Sequence, residues 1–327
     1  MILVFVETDA DGATLTSREA LTFAREVATR TSDGSFEAIV VGPLPGDVRD
    51  EVTEELGRQG VTRIHHAEGE GLDAYAAAAW AAAIAEVAPP DGLVVASGTP
   101  RGNEILAHVA VRLDAVMAAN VVGIDGADPL TVSRQVLGGS ALEEMRLAGD
   151  IAVLSVAGHA TEPAPAPEPS QPELVAVSPA IADRDLAGRV VRTEETEGDD
   201  TSALTSARVV VGAGRGAGSA DGFDGLLEMV GLLDGALGVS RVVTSLGWRP
   251  HHEQVGQTGS RIAPDVYIAC GISGAIQHWA GCQSAKTVVA INTDEDAPMV
   301  TLADYAIVGD LHEIVPAINE EIRRRTG

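Results

Sequence analysis

Short, β-rich apolar runs alternate with amphipathic stretches along most of the chain, and this alternation restricts the fold to a parallel sheet covered by helices. Ile2 to Val6 reads as a buried strand, Ser17 to Thr29 as a helix, Glu37 to Val41 and Arg63 to His66 as strands. Leu72 to Val87 reads as a helix, Leu93 to Ala96 as a strand and Arg101 to Leu113 as a helix. Asn120 to Ile124, Thr131 to Leu137 and Ile151 to Val156 are strand-like with no helices between them, so an antiparallel or mixed portion is expected to close this part. The fold class is α/β. With 327 residues there is material for about two domains, each with a sizeable core.

One low-complexity segment, TEPAPAPEPSQP from Thr161 to Pro172, carries too much proline for a helix or a central strand and is expected to be an exposed loop. It is not the domain boundary, because Leu174 to Val177 and Arg189 to Thr193 still read as short strands that need a sheet to join. The acidic, small-residue stretch Glu194 to Ser206 is the expected boundary, giving domains over 1–197 and 207–327. From Arg208 a second series begins: strand Arg208 to Val211, helix Phe223 to Leu237, strands Arg241 to Thr244 and Val266 to Cys270, helix Ser273 to Cys282. Strands Thr287 to Ile291 and Tyr305 to Val308 and the helix Leu311 to Arg325 complete it.

The formal net charge of −26 repels phosphate backbones and anionic leaflets, which argues against nucleic acid and acidic membranes as partners. The longest apolar stretch, Ala74 to Ala85, is too short for direct membrane insertion. Two cysteines, Cys270 and Cys282, and an N-terminus without a charged leader point to a reducing cytoplasm. Lys286 is the only lysine among the 22 basic residues. An acidic, lysine-poor chain suggests a halophilic, high-salt cytoplasm; a high-GC genome, which favours Arg, Ala and Gly codons, is the plainer reading. Molar salt shrinks the screening length to ~3 Å and relaxes the self-repulsion. Dilution is therefore expected to lower the melting temperature, and a melting curve unchanged from dilute buffer to molar KCl would remove the idea.

The loop from Gly212 to Gly218 follows a strand and precedes a helix, the place where backbone N–H groups hold a phosphate, and Arg215 inside it can engage an anion bidentately. A tight turn without a ligand is the plainer alternative. An NAD site would need an acid at the end of the second strand, where this reading places Thr244 and Ser245; Asp234 falls on the helix pattern. Ser273 and Gly274 open a helix beside a strand end, although Ser273 is equally a plain N-cap and Asn292 a turn former. The adjacent pairs His65-His66 and His251-His252 make poor chelates, and no metal site is expected. Without a CxxC no iron–sulfur site is expected, and Ala275 in the second glycine position of a nucleophile elbow argues against a serine hydrolase. Arg101 and Asn103, after Gly98-Thr-Pro, mark either an anion loop or a structural turn.

A run of motifs in fixed order follows: GRG at 214–216, GVSR at 238–241, GWRP at 247–250 and QVGQTG at 254–259, then VYIACGISGAIQH at 266–278, AIN at 290–292 and ADYAIVGDL at 303–311. Together they resemble the FAD-binding domain of the α subunit of electron transfer flavoproteins. The first ~190 residues resemble that subunit's N-terminal domain more loosely, in Ile2 to Glu7 and in VAVRLDA at 109–115. The resemblance implies an N-terminal α/β nucleotide-hydrolase-like domain followed by a Rossmann-like, parallel-sheet FAD-binding domain, and a heterodimer with a β subunit.

By the same resemblance FAD is contacted by Arg215, Ser240, Arg241, Val255, Gly256, Gln257 and Thr258, by Ser273, Gly274, Ala275, Ile276, Gln277 and His278, and by Asn292, Asp310 and Leu311. Arg241 would lie over the flavin ring and favour its reduced, negatively charged forms, Thr258 would hydrogen-bond near N5, and His278 would donate on the side of the C2 carbonyl. Their plainer readings are a surface ion pair, a turn hydroxyl and a satisfied helix histidine. The implied function is an electron carrier with no substrate of its own. It would take single electrons from acyl-CoA and other flavin dehydrogenases, in fatty-acid β-oxidation, and pass them to a membrane quinone oxidoreductase. A subunit of a flavin-based bifurcating complex oxidising NADH through a second FAD, and a nucleotide-binding module without redox role, are the alternatives.

Overall fold

A computed structural model describes residues 1–326 except 10–11, 32–33, 138–140, 159 and 194–200. Two compact units emerge, one of Met1–Leu137 with Ala141–Glu194, the other of residues 201–326. The expected boundary falls mostly on 194–200, outside the described residues.

In the first unit β1 (Ile2–Phe5) leads through a small hairpin, β2 (Thr8–Asp9) and β3 (Gly12–Ala13), into α1 (Leu15–Thr31). There follow β4 (Glu37–Val41), α2 (Gly46–Arg58), β5 (Arg63–Ala67), α3 (Ala77–Val87), β6 (Gly92–Ser97) and α4 (Pro100–Leu113). The unit continues with β7 (Val116–Ala127), β8 (Leu130–Val136), β9 (Ala141–Arg146), β10 (Ile151–Val156) and β11 (Glu173–Val177). Nine strands form one sheet in the order β11-β5-β4-β1-β6-β10-β7-β8-β9. It is parallel up to β7 and antiparallel across β7, β8 and β9. Alternate residues of β1 feed opposite cores: Ile2 and Val4 pack with Leu21, Phe23 and Leu56, whereas Leu3 and Phe5 pack with Ile84 and Ile105. A strand buried on both faces reads as a continuous apolar run, which is why these strands stand out in the sequence.

Several expectations are corrected. Helix α2 buries only a thin stripe, Val52 and Leu56 in a charged sequence, and β9 is mostly exposed, so neither has a clear apolar period. Arg189 to Thr193 is not a strand: Val191 is exposed, and the chain there joins no sheet. The proline-rich segment has no regular structure but is fastened rather than loose. The N–H groups of Ala166 and Ser170 donate to the Arg58 and Gly57 carbonyls, satisfying the C-terminal end of α2. At Gly98-Thr-Pro the hydroxyls of Ser97 and Thr99 donate to the buried Glu7 carboxylate, and the Asn103 side chain binds Gly98 O and Ser155, so that loop is a structural turn already supplied with an anion.

In the second unit α5 (Ser202–Ser206) precedes β12 (Val209–Ala213), α6 (Asp224–Leu232), β13 (Ala236–Val239) and α7 (Arg241–Ser245). Next come β14 (Val266–Cys270), α8 (Ile276–Cys282), β15 (Thr287–Asn292), α9 (Pro298–Leu302), β16 (Tyr305–Val308) and α10 (Leu311–Thr326). Five parallel strands take the order β13-β12-β14-β15-β16. The helix expected over Phe223 to Leu237 stops at Leu232; Asp234, with φ 48°, turns the chain into β13. The strand expected over Arg241 to Thr244 is α7, because its β-branched run of Val242, Val243 and Thr244 carries strand propensity that the local fold overrides. The second strand thus ends at Val239, and Ser240 and Arg241 occupy the place where an NAD site would keep its acid.

Candidate functional site

Because β13 lies on one side of β12 and β14 on the other, the strand order reverses between β12 and β14, and ligands of open α/β sheets bind at the carboxyl edge of such a point. A cavity of about 920 Å³ opens there. Every strand end contributes: Arg215 and Gly216 after β12, Ser240 and Arg241 after β13, Gly271 to Ser273 after β14, Asn292 to Asp294 at the end of β15, Gly309 and Asp310 after β16. The loop 254–258 closes another side, held where Val255 N–H donates to Val239 O and Gln257 N–H to Gln277 O.

Of the residues expected to contact a ligand, Arg215, Ser240, Arg241, Val255, Gly256, Gln257, Thr258, Ser273, Ala275, Gln277, His278, Asn292, Asp310 and Leu311 line this one cavity. Gly274 and Ile276 do not. The Ile276 side chain is exposed, and an added Cβ on Gly274 would fall 2.3 Å from Met299 N, so Gly274 serves close packing against α9. Val242, Ser245 and Leu246 also line the cavity and were missed, because reading α7 as a strand hides which of its residues share a face.

The glycine loop differs from expectation in its donors. The N–H groups of Gly214, Gly216, Ala217 and Gly218 already donate to the carbonyls of Cys270, Gly271, Gly214 and Arg215. Among the described residues the Arg215 side chain has no ion pair, and it lines the cavity. Gly271 has φ +62°, and a Cβ on it would lie 2.6 Å from the Gly216 Cα, so the loops after β12 and β14 touch backbone to backbone.

Among the described residues neither Arg215 nor Arg241 has an ion pair, although the chain carries −26. Arg241 also stands at the N-terminus of α7, the end that disfavours a cation, with no acid in its first turn. The two carboxylates at the cavity face local donors: Asp310 accepts from His312 N–H at the start of α10, and Asp294 accepts from Asp296 N–H. Asn292 is more than a turn former, since its Nδ2 donates to Ile272 O across two strand ends. Buried Gln254 joins Thr244 to Thr258, at 2.7 and 3.0 Å, and holds the Thr258 hydroxyl in place.

His278 is 6% exposed, and its Nε2 lies 2.8 Å from the Tyr267 hydroxyl. Burial, opposed by the backbone of Val255, pushes its pKa down to about 4, so the imidazole is neutral at pH 7. Its Nδ1 is buried without a hydrogen-bond partner. Burial pushes Cys270 and Cys282 up to about 12, which leaves both thiols protonated and unreactive. No cluster of three or more His, Cys, Asp or Glu positioned for a metal occurs among the described residues, nor a helix long and apolar enough to cross a membrane.

This donor set fits FAD. Two guanidinium groups without an ion pair among the described residues suit an anionic cofactor, neutral donors and a buried imidazole suit a polar ring edge, and the volume lies in the range of cofactor sites.

Comparison with known proteins gives the same direction. Residues 203–283 match the family model described as the electron transfer flavoprotein FAD-binding domain, and residues 2–182 match the electron transfer flavoprotein domain. The chain is 36% identical over 329 residues to the electron transfer flavoprotein subunit alpha of Mycobacterium leprae, with 99% of each chain covered. It is 37% identical over 330 residues to that of Mycobacterium tuberculosis, covering 100% of this chain and 99% of that one. To the subunit of the same name from Bacillus subtilis it is 30% identical over 308 residues, 93% of each chain.

Proposed function

Since the chain belongs to the electron transfer flavoprotein family, on the side of its alpha subunits, we propose that it carries electrons through an FAD seated in the cavity between the ends of β12 and β14. The observation that supports this reading above all is the pair Arg215 and Arg241, cations without an ion pair among the described residues, lining one cavity of a heavily acidic chain. When bound, FAD supplies one-electron redox chemistry at its ring.

The chain's own residues do the rest. Arg215 engages the pyrophosphate, and Ser240, Ser273, Asn292 and Asp310 orient the nucleotide from four strand ends. Arg241 lowers the cost of negative charge on the ring, and Thr258 and His278 hydrogen-bond its polar edge. Val255 to Gln257 together with Ala275 and Gln277 form the walls that exclude water. Leu311, at the start of α10, closes the base.

A β subunit completes the site as a heterodimer in the cytoplasm. Acyl-CoA and other flavin dehydrogenases of β-oxidation deliver electrons, and a membrane quinone oxidoreductase receives them. The lysine-poor, acidic surface suits a high-salt interior. Cofactor extraction and an absorbance spectrum of the protein co-purified with its β partner test the reading. One FAD per heterodimer is the expected result. Two FAD would make it a bifurcating subunit, and none would overturn the assignment.

A further inference from the structure

Tyr267 lies on β14, fully buried, and is not part of the cavity wall, yet its hydroxyl is hydrogen-bonded to the imidazole of a residue that is. We propose that Tyr267 is a positioning residue: its hydroxyl donates to Nε2 of His278, holds the ring, and keeps the imidazole proton on Nδ1, so that His278 meets the flavin as a donor. The inference rests on the FAD reading for its ligand, but not for the tautomer.

The direction of the bond follows from what each choice leaves unpaired. If Tyr267 donates, the phenol and Nε2 satisfy one another, and the Nδ1–H is left facing the Val255 backbone, without a full hydrogen bond and open to a ligand. If His278 donates instead, the Tyr267 O–H and the Nδ1 lone pair are both stranded in the interior. Nothing else takes the phenol proton: both neighbouring thiols point elsewhere, Cys282 to His278 O and Cys270 to Ile268 O. Gly212 closes one side of Oη, where an added Cβ would lie 2.3 Å from it. The remaining possibility, proton transfer to give phenolate and imidazolium, is opposed on both sides. Burial holds the Tyr267 hydroxyl well above its usual range and His278 well below. A second-layer residue fixing the tautomer of a histidine is a familiar device. Here it converts a group that can accept or donate into one that only donates, which favours electron-rich forms of a bound ring.

Long-range proton–nitrogen NMR spectra of the 15N-labelled full chain test it, with the His278 signals identified by their loss in His278→Asn. The expected result, in the chain without FAD, is a protonated Nδ1 and a bare Nε2. A proton on Nε2, or on both nitrogens, would overturn the proposal while leaving the FAD reading intact. In Tyr267→Phe the proton is expected to redistribute between the nitrogens, and FAD binding by the heterodimer to weaken about fivefold to tenfold, the worth of one oriented hydrogen bond. Retention of the Nδ1 proton in that variant would show that Tyr267 does not set it. Should Tyr267→Phe fail to fold, the wild-type spectrum decides alone. Failure of the wild-type heterodimer to bind FAD would instead sink the functional reading and leave the tautomer measurement standing.

Discussion

Replacing Arg215 and Arg241 together by alanine is expected to weaken FAD binding by about two to four powers of ten. Neither guanidinium has an ion pair among the described residues, so each is available for a charge-assisted contact with the cofactor. Such contacts contribute roughly 1.5–3 kcal/mol each, and about 1.4 kcal/mol is a factor of ten in affinity. Removing them leaves the anion in a field already set by 48 acidic residues, and local screening by salt is the only relief. Fluorescence titration of FAD into the heterodimer at one fixed salt concentration measures the effect. Arg146→Ala with Arg261→Ala is the control, because both side chains are exposed, neither lines the cavity, and the change in net charge is the same. Equal loss in control and test would make the effect one of overall charge, and a wild-type dissociation constant in the double variant would remove both arginines from the site. Arg241→Ala alone has a second readout: it is expected to lower the potential at which the bound flavin accepts its first electron. An unaltered redox titration would take Arg241 out of that role while leaving it a binding residue.

The sequence revealed most where one physical cause dominates. Strands β1, β4 and β14 were legible as apolar runs, because helices on both faces of a parallel sheet leave a strand little polar side. Strand β16 is the instructive case: its four residues are apolar yet all exposed, so apolar content identified the strand without burial behind it. Around Asp234 two causes competed. Leu237, Gly238 and Val239 continue an apolar run that fits the end of a helix as well as a strand, and only the turn at Asp234 and Gly235 separates them. The same slip turned α7 into a strand and hid Val242, Ser245 and Leu246 on the cavity wall. Tyr267 was invisible for another reason. A tyrosine on a core strand looks like packing until α8 places His278 against it, and nothing at a separation of 11 residues signals that contact.

Gly271→Ala is expected to destabilise the second unit by about 2–4 kcal/mol and to release FAD, because it violates two independent constraints at the strand reversal. An alanine at φ +62° meets left-handed strain of roughly 1–2 kcal/mol. Its Cβ would also approach Gly216 Cα to 2.6 Å and Leu311 Cδ2 to 2.8 Å, and overpacking of that kind costs about 1–3 kcal/mol. Leu311 can swing aside; the backbone of Gly216 cannot move without breaking the Gly216 N–H bond to Gly271 O, and that movement carries Arg215 with it. Stability and FAD retention should therefore fall together. Gly247→Ala separates the two causes. Gly247 has φ +72° and no atom within 4 Å of an added Cβ, so it feels the strain without the collision. Chemical denaturation of both variants in molar KCl, with FAD retention followed by absorbance, gives the comparison. If Gly271→Ala unfolds no earlier than Gly247→Ala and keeps its flavin, the close contact of the two loops is not what holds the site together.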